Sequence, residues 1–413
     1  MTRVRLGCRT AWRAVAAAAV AMTIAAAAVA AAGAACAAPL AAQGTTLTRG
    51  TPQDAGMSPA VLEAGVGLYR EAVARGDLVG AVLLVARNGK VVLHEAVGSR
   101  HWELNLPMER NTMFRMASNT KPVISTAISM LVERGKLRYA DPVRKYIPSF
   151  DNYKSGFITI DQLLSHTSGF RIGTLFLSPY LEKSPEHPDA PSLQLEVARF
   201  GDVGAAVTPG TTYRYSNPGF NTLGALIEIA SGKPLDVFLR DEIYRSLGMV
   251  DTYHHEVADK LDGKLNRMGA VYYERKDGKW TVGWKPGDPP QVPFVRASGG
   301  LISTAWDYAI FLQTFLNGGA YGTVRLLKPE TVKQMTTVHT PPAPGGGGYG
   351  YGWMLDARGV YSHGGSDGTF AWVDPGQQVI GLVFTQTPRG ANPTSKFMEL
   401  VRLSINERPR TNP

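Results

Sequence analysis

The chain has 413 residues, of which 44% are hydrophobic and 19% are charged, a composition typical of a globular protein with a sizeable core. The formal net charge is +9, and four of the 43 basic residues are arginines within the first 42 positions, which hold no acidic residue. Without those four, 39 basic residues stand against 34 acidic ones, with no Lys/Arg run. This surplus is too small and too scattered for a nucleic-acid partner.

The first residues have the pattern of an export signal. Four arginines precede an alanine-dominated apolar run, and Ala35-Cys36-Ala37 matches a small-residue cleavage pattern. We therefore expect a signal peptide over 1–37, a mobile lead-in over 38–50 and an exported protein, either periplasmic or secreted. An uncleaved membrane anchor and a lipid-modified Cys36 are the alternatives. After cleavage we expect no stable membrane partner. We also expect no disulfide, because the only two cysteines, Cys8 and Cys36, lie within the expected signal peptide.

The N-terminal half of the remaining chain begins with a helix and a hairpin. A helix is expected from Ser58-Pro59 to about Arg75, with serine as N-cap and proline in the first turn. A β-hairpin is expected over 79–97, because Asn88-Gly89 separates two β-branched runs. Residues 118–134 have apolar side chains at helical spacing, which predicts a helix that ends before glycine.

The middle of the chain is predicted to be mainly helical, and the end returns to strands. A capping box at residues 159–162 opens a short helix, residues 171–208 lack periodicity and are expected to form a loop over a cleft, and a helix follows over 220–230. Candidate strands and a final helix come last: Tyr349–Leu355, Phe370–Val373, Val379–Thr385, and a helix from about Thr394.

This order predicts an α/β chain of the α+β type. Strands at both ends with helices between them indicate one antiparallel sheet formed from N- and C-terminal segments and flanked by helices. We expect a single domain over 51–413, with an inserted mainly helical subdomain at about 130–290.

Ser118-Asn119-Thr120-Lys121 is an S-x-x-K pattern at the predicted start of a helix. Three-residue spacing places the serine and the lysine on one helix face, one turn apart. A serine hydroxyl is a weak nucleophile unless a base removes its proton, and a lysine in a buried cleft can have a pKa low enough to serve. The same pattern also describes an N-capping serine beside a solvated lysine.

Tyr215-Ser216-Asn217 is flanked by two Pro-Gly turns. An extended segment there would project Tyr215 and Asn217 to the same side. The phenol could then relay a proton to a leaving group, and the amide could bind a substrate carbonyl. A turn with a partly buried aromatic ring is the alternative.

His363-Gly364-Gly365-Ser366 lies near a predicted strand edge. The glycines would let a ligand approach the backbone closely, and His363 would line the pocket. The backbone N–H of Ser366 would be the second donor of an oxyanion hole, after that of Ser118. A glycine-rich turn explains the pattern equally well.

In this order the three patterns resemble the serine β-lactamase and penicillin-binding-protein superfamily, and especially class C β-lactamases, D-amino-acid peptidases and related esterases. The family order of S-x-x-K, Y-x-N and then K-T-G or H-x-G is met here by three pairs: Ser118/Lys121, Tyr215/Asn217 and His363/Gly365. Residues 163–169 and 297–304 also look like family hallmarks, and the resemblance covers about 50–405.

The resemblance implies a β-lactamase/transpeptidase-like fold and a serine hydrolase that needs no metal and no cofactor. Ser118 would carry the acyl group, with Lys121 and Tyr215 as general base and acid. His363 stands where many relatives have lysine. Because a histidine is mostly neutral near pH 7, this departure favours uncharged esters or small amides over penicillins.

Several other patterns are interpreted as unrelated to the chemistry. Ser366 lies in a G-x-S-x-G pattern, but no helix is predicted after it and no histidine follows, so it is not expected to be a nucleophile. His254 and His255 lack the spacing of metal ligands and are expected to have surface or packing roles. His166 is expected to hold the turn after its helix.

The sequence therefore predicts an enzyme that acts on a small ester, amide or peptide. Carboxylesters come first as substrates, then peptides with D-residues, then β-lactams. Residues 171–208 and 254–296 are expected to roof the pocket. A non-catalytic cell-wall-binding or sensor module on the same fold is the alternative of another class, and it would be favoured by loss of a motif residue.

Overall fold

The computed structural model describes residues 44–261, 263–342 and 345–405. The expected signal peptide lies outside the described residues, as does most of the expected lead-in. Within the described part of the chain, no helix is both long and apolar enough to cross a membrane.

A nine-stranded sheet joins the two ends of the described chain. Its strand order is β1-β3-β2-β16-β15-β14-β13-β12, with β4 added beside β3. The strands of this sheet are β1 Thr48–Arg49, β2 Gly80–Arg87, β3 Lys90–His101, β4 Leu106–Pro107, β12 Gly348–Tyr349, β13 Met354–Leu355, β14 Tyr361–Gly364, β15 Thr369–Asp374 and β16 Val379–Thr385. All neighbours pair antiparallel except β1 and β3.

Three smaller sheets complete the described β-structure. β5 and β6 both pair antiparallel with β9, β7 with β8, and β10 with β11. Their bounds are β5 Phe114–Arg115, β6 Tyr253–His254, β7 Val271–Lys276, β8 Lys279–Trp284, β9 Leu301–Ser303, β10 Ala320–Tyr321 and β11 Val324–Arg325.

Helices cover both faces of the large sheet. Their bounds are α1 Pro59–Ala74, α2 Thr120–Glu133, α3 Ile160–Leu164, α4 Leu193–Val203, α5 Asn217–Ser231, α6 Leu235–Leu239, α7 Arg245–Leu247, α8 Ala305–Leu316, α9 Pro329–Met335 and α10 Thr394–Leu403. One apolar core, between α1, α10 and the sheet, includes Val66 and Phe397. A larger core on the other side surrounds α2 and continues into the helical part.

The predicted fold class is confirmed. Val379–Thr385 near the C-terminus pairs along its whole length with the N-terminal strand Gly80–Arg87, so both ends do build one sheet. The hairpin is also confirmed: Asn88 and Gly89 have φ of 52° and 75° and connect Arg87 directly to Lys90. The capping box at Thr159 and Gln162 forms as expected.

The observed structure differs from the predicted one in three segments, and each difference has a physical cause. The lead-in is not wholly irregular, because Thr48–Arg49 pairs with the edge of β3. Residues 171–208 are not all loop, since Ser192 accepts a hydrogen bond from the N–H of Leu195 and starts α4. Residues 349–355 form two short strands around a turn at Gly352, whose φ is 80°, rather than one strand.

Candidate active site

Ser118 lies in a short 3₁₀ turn, Ala117–Asn119, between β5 and α2. It is therefore just ahead of the helix rather than on its first turn. Ala117 has a φ of 44°, a left-handed conformation that is uncommon for a residue other than glycine. As the second residue of the turn, Ser118 has an N–H without a partner inside that turn, so this donor is free for a ligand.

Lys121 is held by three oxygen atoms. Its Nζ lies 3.0 Å from the Oγ of Ser118, 2.9 Å from the Oδ1 of Asn217 and 2.7 Å from the carbonyl oxygen of Ser298. The residue is fully buried on the first turn of α2, where the apolar face of the helix packs into the core. This amine is therefore fixed against the hydroxyl of Ser118.

Burial keeps the pKa of Lys121 well below its ordinary value, and the positive charge of Arg296 lowers it further. A neutral amine has two hydrogens and one lone pair. The two carbonyl oxygens, of Asn217 and Ser298, accept only hydrogens, so the lone pair is left to face Ser118. The surroundings thus favour the form of lysine that can receive a proton from the serine.

Tyr215 stands immediately before α5 at the open side of the site and is 44% exposed. The Nζ of Lys121 lies 4.7 Å from the centroid of its ring. Loss of solvent raises the pKa of the Tyr215 hydroxyl above its usual value, and a hydrogen bond with Ser118 opposes this only in part. The phenol thus stays protonated across the neutral range, beside both Ser118 and Lys121.

His166 fixes the segment that carries Tyr215. The Nδ1 of its buried ring accepts a hydrogen bond from the N–H of Ser216 at 3.0 Å, and its carbonyl oxygen accepts one from the N–H of Arg214 at 2.8 Å. Its ring centroid lies 4.3 Å from that of Tyr215. Burial keeps its pKa well below the ordinary value. These contacts fit the expected holding role, because the Nδ1 lone pair is already in use.

His363 lies on β14, buried beneath the site. Its Nδ1 is 2.8 Å from the carbonyl oxygen of Gly364, and its Nε2 is 3.0 Å from the hydroxyl of Tyr349. Burial lowers the pKa of His363 to about 3, so the ring is neutral at pH 7. The ring is turned towards Tyr349 and is not among the residues at the wall of the cavity at Ser118, so a direct contact of His363 with a ligand stays a prediction.

Gly365 is packed against the protein's own chain, whereas the sequence predicts that it lets a ligand approach the backbone. A Cβ at this position would collide with the carbonyl oxygen of Met116 and with the Oγ1 of Thr369, so the missing side chain admits the protein's own backbone. This close approach brings the strand end at Ser366 to the turn that carries Ser118. Among the described residues, no hydrogen bond is found for the backbone N–H of Ser366.

A cavity of about 210 Å³ opens at Ser118. Asn217 and Ser366 line it as the sequence suggested. The two segments expected to roof the pocket also contribute, with Leu175 from the first and Gln291 from the second. The site is therefore open to a small molecule, with the hydroxyl of Ser118 at its wall.

The structure thus brings Ser118, Lys121 and Tyr215 together and places Asn217 against the lysine. Asn217 is the first residue of α5 rather than part of an extended segment, because Ser216 caps that helix through Gly219. The sequence patterns do not indicate the Ser298 carbonyl as a partner of Lys121, although residues 297–304 look like a family hallmark.

The histidine pair is buried and packed. His254 and His255 are 1% and 4% exposed, which fits the packing role rather than the surface one. In the parts of the chain that the structure describes, no group of three or more His, Cys, Asp or Glu residues is placed to hold a metal ion.

Comparisons with a family model and with related proteins agree on the family to which this chain is similar. The family model described as Beta-lactamase matches residues 66–400. Protein Rv1367c of Mycobacterium tuberculosis is 30% identical over 294 residues, which is 67% of this chain and 72% of the relative. An N-acetylmuramyl-L-alanine amidase of Bacillus subtilis is 27% identical over 334 residues, 72% of this chain and 74% of the relative.

Among solved structures, EstCE1 is described as a hydrolase with promiscuous acyltransferase activity. It superposes with a TM-score of 0.69 at 22% sequence identity, covering 84% of this chain and 99% of EstCE1. At this identity the match shows a shared fold.

Proposed function

Because the chain belongs to the beta-lactamase family of serine hydrolases, we propose that it hydrolyses small carboxylesters or amides through an acyl group on Ser118. The observation that carries this proposal is the position of the Lys121 amine, 3.0 Å from the Ser118 hydroxyl in a fully buried setting. A serine becomes an effective nucleophile only beside such a base.

In the first step, Lys121 takes the proton from Ser118 as Oγ attacks the substrate carbonyl carbon. Charge then develops on the carbonyl oxygen, and the backbone N–H groups of Ser118 and Ser366 are the donors that would stabilise it. Asn217 keeps its amide nitrogen for the substrate, because its oxygen accepts a hydrogen bond from the lysine.

In the second step, the bond between the carbonyl carbon and the leaving group breaks. The leaving oxygen or nitrogen takes a proton from the Tyr215 hydroxyl, which recovers one from Lys121. Water then attacks the acyl-serine with the same groups acting in reverse, which releases the acid and restores the free serine.

The neutral His363 supports the order of substrates. Many relatives have lysine at this position, where its charge would attract a substrate carboxylate, whereas this histidine is neutral and bonded to Tyr349. Carboxylesters therefore come first, D-residue peptides second and β-lactams third. The alternative of a non-catalytic binding module is not favoured, because each residue of the three motifs is present.

Steady-state rates on p-nitrophenyl acetate, nitrocefin and a D-alanyl peptide test the proposal. We expect the ester to be the best of the three, and Ser118→Ala to abolish its turnover. An unchanged rate in Ser118→Ala, or no turnover of any of the three by the wild type, would reject it.

We also propose that the protein is exported, on the basis of the arginines and the alanine-rich run that precede residue 38. N-terminal sequencing of the protein recovered from the periplasm or the medium should find a start near Ala38. Recovery only from the cytoplasm with residue 1 or 2 as the start would contradict export.

A further inference from the structure

One wall of the Ser118 cavity carries two arginines that donate no hydrogen bond in the proposed reaction, although the charge of Arg296 lowers the pKa of Lys121. Arg115 lies on β5, three residues before the serine, and Arg296 lies two residues before Ser298. Both line the same cavity of about 210 Å³ as Ser118. Two permanently charged groups beside a reactive serine require a physical explanation.

Each guanidinium is fixed by a buried carboxylate. The Nε of Arg115 lies 3.0 Å from the Oδ2 of Asp367, and the Nε of Arg296 lies 2.7 Å from the Oε1 of Glu256. The plane of Arg115 is held further by Trp284, whose ring centroid is 4.7 Å from the guanidinium carbon. Both arginines are thus oriented before any ligand binds.

The terminal nitrogens of both arginines are left for a ligand. The Oδ1 of Asp367 accepts a hydrogen bond from the hydroxyl of Tyr273 at 2.9 Å, and its Oδ2 forms the ion pair with Arg115. The side chain of Glu256 is fully buried behind Arg296. Among the described residues, by contrast, no hydrogen bond is found for the terminal nitrogens of Arg115 or Arg296. Those nitrogens are the ones that bind a planar carboxylate in a forked geometry.

Resting on the hydrolase proposed above, we infer that this wall, Arg115 and Arg296, binds a carboxylate carried by the substrate. Esters and amides with such a group are then cleaved in preference to neutral ones of the same shape.

Two matched substrate pairs test the inference on the wild-type enzyme. One places the charge on the acyl part, with 4-nitrophenyl hydrogen glutarate against 4-nitrophenyl glutaramate. The other places it on the leaving group, with 4-acetoxybenzoate against 4-acetoxybenzamide. Since a hydrogen bond to a charged group contributes about 1.5–3 kcal/mol, we expect kcat/KM to favour the anion by about 10- to 100-fold in at least one pair.

Arg115→Gln and Arg296→Gln should bring that ratio close to one, whereas Arg70→Gln on the exposed face of α1 should leave it unchanged. If a glutamine variant does not fold, Arg→Lys at the same position takes its place. The lysine keeps the neighbouring carboxylate of Asp367 or Glu256 paired but lacks the planar guanidinium with its two parallel donors. The kcat/KM ratio of anionic to neutral substrate should therefore fall several-fold.

A wild-type ratio of one or less in both pairs would overturn the inference, as would a ratio that persists in the variants of both arginines. Good turnover of the neutral esters without anion preference would reject only this inference. Absence of all turnover would instead reject the hydrolase proposal on which it rests.

Discussion

At the scale of single residues, the environment of Lys121 decides the chemistry. A neutral, fully buried amine with two carbonyl acceptors and one hydroxyl satisfies every partner only when its lone pair faces Ser118. The sequence could predict the serine and the lysine from their spacing. It could not predict Ser298 as the third partner, because a backbone carbonyl leaves no signature in the side-chain pattern.

The first prediction concerns this amine. Lys121→Ala should lower kcat/KM for p-nitrophenyl acetate roughly a thousandfold or more, because the serine loses its base. Lys396→Ala, at an exposed position on α10, is the matched control and should keep wild-type rates. Near wild-type turnover of a folded Lys121→Ala enzyme, measured by the release of p-nitrophenolate, would contradict the assigned base.

At the scale of elements, the patterns that are local in sequence were predictable and the contacts between distant elements were not. The Asn88-Gly89 turn and the capping box at Thr159 depend on adjacent residues, so they were found. The close contact between Gly365 and the backbone of Met116 joins positions about 250 residues apart. The sequence pattern alone therefore predicts that the glycine admits a ligand rather than another part of the chain.

The second prediction uses two adjacent glycines. Gly365→Ala should lower kcat/KM by about 100-fold or more, because a Cβ against Met116 displaces the Ser366 N–H from the oxyanion position. Gly364→Ala is the matched control, since its Cβ would make only ordinary contacts, with Phe370 at 3.6 Å and the carbonyl oxygen of Thr369 at 3.9 Å. Equal rates for the two variants, each checked for folding by circular dichroism, would argue against Ser366 as a donor.

At the scale of the whole molecule, the sheet that joins both ends of the chain places the site against an extensive core. The predicted fold class was accessible because strand and helix patterns are strong. The residues that form the walls of the cavity could not be predicted, since Arg296 and Leu175 come from the two segments expected to roof the pocket, whose sequence does not show which side chains face inward. The same core encloses several ionisable groups, and this makes stability depend on pH.

The third prediction follows from the buried histidines. Burial lowers the pKa of His94 and His254 to about 4 and that of His363 to about 3, and it also lowers that of His166. Between these values and the ordinary 6.5, the unfolded chain binds more protons, so the free energy of unfolding falls as pH decreases. Each histidine contributes up to about 1.4 kcal/mol per pH unit.

Asp307 acts in the opposite direction in part of this range, because burial raises its pKa to about 6. The ionised carboxylate of Asp307 destabilises the folded state above about pH 4, and this penalty becomes smaller as the pH falls and the group is protonated. The loss of stability caused by one of the four histidines is thereby offset. Urea unfolding at pH 7 and pH 5 should therefore show lower stability at pH 5. Equal or greater stability at pH 5 would mean that these histidines are not held neutral in the folded protein.

The most direct test of the central claim is to find which serine a fluorophosphonate probe modifies. Peptide mass spectrometry of the labelled wild type should locate the phosphonyl group on Ser118, with Ser366→Ala labelled normally and Ser118→Ala unlabelled. A label on Ser366, or equal labelling of Ser118→Ala, would contradict the assignment of Ser118 as the nucleophile.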